Sequence, residues 1–172
     1  MKTSTDRILL GAILLLAAGL IWVVTPTLQV HITEIGDTAP DFKIVAENGK
    51  TYTRSDFGGK LLVLNFWASW CPPCIEETPS LNEFAKQYAS QGVVVLGVSI
   101  DKNEKLYHNF LNRWHVAFET ARDPESDISA SYGTFLIPES YLIDRNGKVV
   151  EKFVNSTDWM DPAFLKRVQS ML

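Results

Sequence analysis

The chain has 172 residues with a formal net charge of −4, and hydrophobic residues make up 46% of it. This length fits one domain plus an appendage, and the apolar content suffices for a sizeable core. The acidic balance argues against a nucleic-acid-binding surface. Two cysteines are too few for a scaffold built on disulfides.

The appendage is an apolar segment near the N-terminus. Residues 8–24 carry no charge, and as a helix they would reach roughly 26 Å, close to the hydrocarbon thickness of a bilayer. Lys2 and Arg7 precede the segment, so the positive-inside rule places residues 1–7 in the cytoplasm. We therefore predict a transmembrane anchor followed by an extracytoplasmic domain. A cleaved signal peptide is the alternative, although residues 22–26 make a poor cleavage site.

A polar linker is predicted at residues 25–35, followed by a domain at residues 36–172. This domain opens with a predicted β-hairpin, because two short strand-like runs flank Asn48-Gly49, a dipeptide that favours a tight turn. The continuous apolar run at residues 60–68 then predicts a strand that is buried on both faces.

Helices and strands alternate after this strand. Apolar spacing predicts a helix at residues 74–90, a buried strand at 93–100 and a second helix at 103–115. Such alternation is typical of parallel strands joined by crossover helices. The last third predicts an antiparallel hairpin that turns at residues 144–147, and a closing amphipathic helix at 161–171. We expect a mixed central β-sheet with helices on both faces.

The two cysteines, Cys71 and Cys74, directly follow the first buried strand. A zinc site needs about four ligands, and the three histidines lie in the linker or seven apart on one predicted helix. Haem attachment requires histidine after the second cysteine, where this chain has Ile75. A structural disulfide would close too small a loop to stabilise the fold much. These patterns favour a reactive dithiol, with metal binding and a structural bridge as alternatives, and we expect no cofactor.

The placement of the pair supports the dithiol. Cys71 should lie just ahead of a helix and Cys74 in its first turn, where unpaired N–H groups and the helix dipole favour a thiolate. Pro72 and the proline after it would stiffen the loop. Trp67 and Trp70 are expected to offer an apolar wall for substrate, although core packing explains Trp67 equally well.

The segment LVLNFWASWCPPCIEETPSL resembles the active-site segment of thioredoxin-like proteins. GDTAPDF and YGTFLIPESYLIDRNGKVV resemble signatures of the membrane-anchored TlpA/ResA-type branch, which includes the thioredoxin-like proteins of cytochrome c maturation. The resemblance implies a thioredoxin fold and thiol–disulfide exchange, with Cys71 as attacking thiol and Cys74 as resolving thiol. It also implies that the Ile137-Pro138 bond is cis and faces the cysteines, and that Ile137 offers backbone groups to the substrate.

Three polar residues refine this resemblance. Asn65 stands where thioredoxins proper usually carry a buried aspartate. Glu77, three residues after Cys74 on the same helical face, resembles the proton-handling carboxylate of the TlpA/ResA-type branch. A solvated first helical turn is the alternative for Glu77 and our interpretation of Glu76. Glu139 places a charge beside the predicted cis proline, as in the cytochrome c maturation proteins.

These features predict a periplasmic, membrane-anchored thiol–disulfide oxidoreductase that reduces disulfides in exported proteins, with apocytochrome c as one candidate. A membrane partner would deliver the reductant, and we expect a monomer that binds no nucleic acid. A thiol peroxidase of the peroxiredoxin type is one alternative, although Leu64 and Ala68 stand where its Pro-x-x-x-Thr-x-x-Cys pattern needs Pro and Thr. A redox-inert binding module is the other, and the retention of both cysteines argues against it.

Overall fold

The computed structural model describes residues 4–27 and 31–172. The chain divides into two compact units, Met1–His31 and Ile32–Leu172. The first contains helix α1, Ser4–Thr27, so the predicted apolar segment is helical. Among the residues that the structure describes, no helix combines the length and the apolar character needed to cross a membrane. Part of the predicted linker, residues 28–30, lies outside the described residues.

The second unit is built on a five-stranded sheet with the strand order β5-β4-β3-β6-β7. The strands are β3 Leu61–Trp67, β4 Val93–Ser99, β5 Glu119–Arg122, β6 Glu139–Ile143 and β7 Val149–Val154. β3, β4 and β5 are parallel, whereas β6 pairs antiparallel with both of its neighbours, β3 and β7. The predicted mixed sheet is therefore confirmed. Every residue of β3 is buried, as the apolar run of its sequence predicts.

Four α-helices belong to this unit: α2 Pro72–Tyr88, α3 Glu104–Trp114, α4 Asp127–Ser131 and α5 Pro162–Met171. α2 and α5 pack on one face of the sheet, where Phe84 and Phe164 share a buried cluster with Val63 of β3. α2 runs continuously through Pro79. The capping of α5 by Asp161, whose carboxylate accepts the Phe164 N–H, holds the start of the closing helix.

The other face of the sheet is covered by a hairpin and by α4. β1 Lys43–Val45 and β2 Thr51–Thr53 pair antiparallel across the Asn48-Gly49 turn, which confirms the predicted hairpin. Gly49 has φ of 76°, a backbone conformation that glycine adopts without strain. Phe42, Ile44 and Ala46 are buried while their neighbours are exposed, so one face of this segment packs on the core.

The second unit begins earlier than residue 36, where the sequence predicts the domain to start. The Thr33 N–H donates to the Tyr132 carbonyl at 3.0 Å, and Lys152 Nζ donates to the Thr33 carbonyl at 3.0 Å. The start of the domain is therefore attached to the core by backbone contacts of Thr33, which the local sequence does not reveal.

Candidate active site

Cys71 and Cys74 are joined by a disulfide at the junction of β3 and α2. Cys71 is the N-cap residue of α2, and its Sγ accepts the Cys74 backbone N–H at 3.3 Å. Pro72 and Pro73 occupy the first two helical positions and carry no N–H. The N–H of Cys74 is therefore the first backbone donor of the helix, and it points at the sulfur that the sequence predicts to be the nucleophile.

The loop that precedes β6 also contacts the disulfide. The Ile137-Pro138 bond is cis, as the resemblance implies, and Cys71 Sγ lies 3.5 Å from the Ile137 carbonyl oxygen. Pro138 is buried and Ile137 half-buried, whereas Phe135 and Leu136 are 71% and 67% exposed. The loop thus carries exposed apolar side chains and places a main-chain carbonyl beside the sulfur.

The two tryptophans before the cysteines have different positions. Trp70 is 61% exposed and Pro72 is exposed, so both can contact a substrate. Trp67 is only 3% exposed, and its ring centroid lies 4.6 Å from that of Phe110. It belongs to the buried cluster that contains both cysteines. Trp67 packs beneath the site and offers no surface, so the prediction that it walls the site is wrong and the core interpretation is confirmed.

A buried carboxylate fixes the loop that enters the site. Asp101 is 1% exposed and accepts two bonds from Ser69, one from the backbone N–H and one from the hydroxyl, each at 2.7 Å. The Ser99 hydroxyl also donates to Asp101 at 2.7 Å. Because Ser69 is two residues before Cys71, Asp101 holds the approach to the nucleophile in place. Sequence reasoning missed this residue, since Asp101 lies 32 positions from its main partner.

Glu77 is buried one helical turn beyond Cys74, with 4% of its surface exposed. Asn65 Nδ2 donates to Glu77 Oε1 at 2.8 Å, and the Thr157 N–H and the Trp159 indole N–H donate to Oε2 at 3.2 and 3.4 Å. Asn65 Nδ2 is also within 2.8 Å of the Ser140 hydroxyl. A solvated helix start is therefore wrong for Glu77, whereas Glu76 is exposed as expected.

Burial sets the protonation of Glu77. Removal from water raises the pKa of this carboxyl to about 7, and the donors from Asn65, Thr157 and Trp159 oppose that rise in pKa without cancelling it. Glu77 also lines a surface depression of about 290 Å³ together with Ser80 and Thr157. A group with this pKa can hold or release a proton near neutral pH, and the depression lies next to solvent.

Glu139, the charge beside the cis proline, points away from this network. It is 4% exposed and lies in β6 directly before Ser140, and successive side chains of a strand face opposite sides of the sheet. Glu139 Oε1 accepts the Tyr141 hydroxyl at 2.7 Å and pairs with Lys152 Nζ at 3.1 Å. Its charge is therefore held within the protein and is not presented to a substrate.

The structure brings together the six residues that the sequence places at the cysteines and the cis proline: Trp70, Cys71, Pro72, Cys74, Ile137 and Pro138. It adds four residues that sequence reasoning missed: Asp101, Ser140, Thr157 and Trp159. Of these, only the buried tryptophan near the C-terminus carries a signal in the sequence, because an indole must find an acceptor when it is buried.

Comparison with known proteins agrees with this geometry. The Redoxin family model matches residues 34–166. Thiol-disulfide oxidoreductase ResA of Bacillus thuringiensis subsp. konkukian is 37% identical over 119 residues, 69% of each chain. The Bacillus subtilis ResA is 35% identical over 116 residues, which cover 67% of this chain and 65% of the relative.

Solved structures show the same architecture. A crystal structure from Chlorobium tepidum, assigned as the thiol:disulfide interchange protein DsbE, superposes with a TM-score of 0.75 at 33% identity. The superposition covers 81% of this chain and 98% of the other. The second unit therefore has a thioredoxin-like fold, with a mixed central sheet and flanking helices.

Proposed function

Because the chain belongs to the Redoxin family and is a thiol–disulfide oxidoreductase, we propose that it works as a reductase of disulfides in exported proteins. The observation that carries the proposal is the position of Cys71 Sγ. It accepts a helix N-terminal N–H, which favours the thiolate. It also lies 3.5 Å from the Ile137 carbonyl oxygen, and the apolar residues near Cys71 and Ile137 in the chain, Trp70, Phe135 and Leu136, are exposed. An apolar, extended segment of a partly folded protein fits such a surface.

The exchange proceeds in two steps. The Cys71 thiolate attacks one sulfur of the substrate disulfide, forms a mixed disulfide and expels the other substrate sulfur as a thiolate. The Cys74 thiolate then attacks Cys71 Sγ, so that the mixed disulfide breaks and the Cys71–Cys74 disulfide forms. Two electrons pass to the substrate, and Glu77 is the group that exchanges protons with the buried thiol.

A membrane partner would return the protein to its dithiol form. Among the described residues, α1 has a charge-free sequence from Ile8 onward, and its described apolar side chains are exposed. This supports attachment of the domain to a membrane through residues 8–24, with residues 1–7 on the cytoplasmic side and a linker that ends before Ile32, where the second unit begins. The full-length protein should then sediment with membranes. A soluble periplasmic form that begins near Thr25 would instead indicate cleavage.

The order of the two thiols provides the test of the proposed function. Cys74→Ala keeps the nucleophile without a resolving thiol, so it should accumulate a mixed disulfide with a model substrate such as insulin. Cys71→Ala should form no such adduct. Non-reducing gels of both variants give the answer, and adducts formed only by Cys71→Ala would overturn the assignment. A reduction potential measured in a dithiothreitol buffer then checks the direction, because a potential above that of the substrate disulfide contradicts reduction.

A further inference from the structure

The substrate loop, defined here as residues 133–138, carries Ile137 to within reach of Cys71. Its tip receives little support from its own side chains, since Phe135 and Leu136 are mostly exposed. A loop of this kind must be held at its two ends if its main-chain carbonyl is to stay 3.5 Å from the sulfur. Rigid support of this type is what keeps a substrate-positioning group in its working geometry.

Both ends of the substrate loop are connected to one buried ion pair, the far end through the chain itself and the near end through hydroxyl groups. At its far end, Glu139 directly follows Pro138, and its carboxylate lies 3.1 Å from Lys152 Nζ. Lys152 lies opposite Tyr141 in the β6–β7 register, and its ammonium group lies 5.4 Å from the centre of that aromatic ring. The side chains of Glu139 and Lys152 are only 5% and 13% exposed. Both charged groups are therefore largely shielded from solvent.

The near end is joined to the same pair through two hydroxyl groups. The Tyr141 hydroxyl donates to Glu139 at 2.7 Å and lies 3.1 Å from the Thr134 hydroxyl. It also lies 3.3 Å from the carbonyl of Tyr132, the residue that precedes the loop. Burial raises the pKa of the Tyr141 phenol above its ordinary value, so it remains a donor.

Lys152 closes the network through the first residues of the domain. It donates to the Thr33 carbonyl at 3.0 Å and lies 3.5 Å from a Glu34 carboxylate oxygen. The Thr33 N–H in turn donates to Tyr132 at the near end of the loop. The contacts form a ring that starts and ends at the loop, and in this ring Lys152 connects Glu139 to the Thr33 carbonyl.

We propose that Lys152 is a positioning residue for disulfide exchange. Its ion pair with Glu139 fixes the substrate loop, and through it Ile137, beside Cys71. The inference rests on the proposed function, because it takes a protein disulfide as substrate. A small reagent that needs only the sulfur should not depend on Lys152, whereas a protein that must dock along the loop should.

The test compares Lys152→Met with wild type in two assays. The first measures kcat and KM for reduction of insulin, with dithiothreitol as the reductant. The second measures the rate at which iodoacetamide alkylates reduced Cys71. We expect KM for insulin to rise about tenfold, equivalent to roughly 1.4 kcal/mol, while the alkylation rate stays within about twofold of wild type. Arg167→Met is the matched control, because it removes the more exposed ion pair to Glu151, the neighbour of Lys152 in β7.

A buried charge left without its partner can prevent folding, so a second variant is needed. Tyr141→Phe removes the hydroxyl link between the loop and Glu139 but keeps the ion pair, and it should raise KM in the same selective way. An unchanged KM in both folded variants would refute the inference, and so would equal losses in the insulin and alkylation assays. If wild type itself failed to reduce insulin, the proposed function would fail instead.

Discussion

Asn65 and Glu77 are hydrogen-bonded across the interface between β3 and α2, with the amide of Asn65 donating to the carboxyl of Glu77 at 2.8 Å. The titratable member of this pair, Glu77, therefore lies on α2, and β3 supplies only the neutral amide of Asn65. Three hydrogen-bond donors stabilise the ionised form of this carboxyl, whereas its burial away from water disfavours that form. The site consequently has one buried acid that titrates near neutral pH.

The pH dependence of stability should report on this acid. The pKa of Glu77 is about 7 in the folded protein against an ordinary value of 4.5. Between these values the folded protein keeps a proton that the unfolded chain has released, so stability contributed by this group falls as pH rises from about 4.5 to about 7.

Glu77→Gln cannot ionise and should lose this dependence. Relative to wild type, its free energy of unfolding should gain up to about 3 kcal/mol across the interval. Urea titrations of the disulfide-bonded proteins at several pH values measure the difference, with Glu76→Gln as the exposed control. A constant difference between wild type and Glu77→Gln across this range would contradict the raised pKa.

Glu77 should also influence the thiols of the reduced protein. A carboxylate one turn from Cys74 disfavours a second negative charge nearby, so it raises the pKa of the thiols. Glu77→Gln should therefore shift the pH dependence of iodoacetamide alkylation to lower pH, and should slow steps in which a thiolate leaves with a proton. Glu76→Gln should leave the profile in place, and an equal shift in both variants would show that the effect is not specific to the buried carboxyl.

Asp101→Ala should damage stability and exchange together. Two donors of Ser69 lose their charged acceptor, and we expect a loss of about 2 kcal/mol because buried donors without partners are costly. The loop before Cys71 should also lose its fixed position and react more slowly with insulin. Asp123→Ala is a matched control, since this buried carboxylate accepts the N–H groups of Asp127 and Ile128 at α4. A control with the same loss of exchange would assign the effect to stability alone.

Gly97 should not tolerate a side chain. A Cβ at this position in β4 would lie 2.8 Å from a ring carbon of Phe118 and 2.9 Å from the Trp67 indole nitrogen. Gly97→Ala should therefore lower the free energy of unfolding by about 1–3 kcal/mol, the usual range for overpacking a core. Gly58→Ala, whose Cβ would meet only the Ser55 carbonyl at 3.2 Å, should cost less in the same thermal or urea melts. Equal losses would show that Trp67 and Phe118 move aside easily.

The elements that the sequence predicts well are those whose signal is local. β3 is a continuous apolar run, the hairpin turns at Asn48-Gly49, and α5 begins after an aspartate that caps it. β5 and α4 were missed for physical reasons. β5 is a four-residue strand at the edge of the sheet, formed by pairing with β4, and α4 is a single short turn of helix.

The same distinction holds at the site. The cysteines and the cis proline could be predicted because their spacing and neighbours are contiguous in the chain. The environment of Glu77 could not, because Thr157 and Trp159 reach it from about 80 positions away. Burial of an acid depends on the assembled core, so the sequence near residue 77 does not predict it.

The two prolines between the cysteines limit how strongly the helix can solvate a negative sulfur. An N-cap side chain can ordinarily accept from the N–H groups of the second and third helical residues, but here the second is Pro73, and only Cys74 donates. Exchange of Pro73 for alanine would add one more main-chain donor without changing any charge. The pKa of the Cys71 thiol should then fall and the dithiol form should become more stable. The two residues between the cysteines therefore help to set the oxidising strength of the site through the number of backbone N–H groups that they provide.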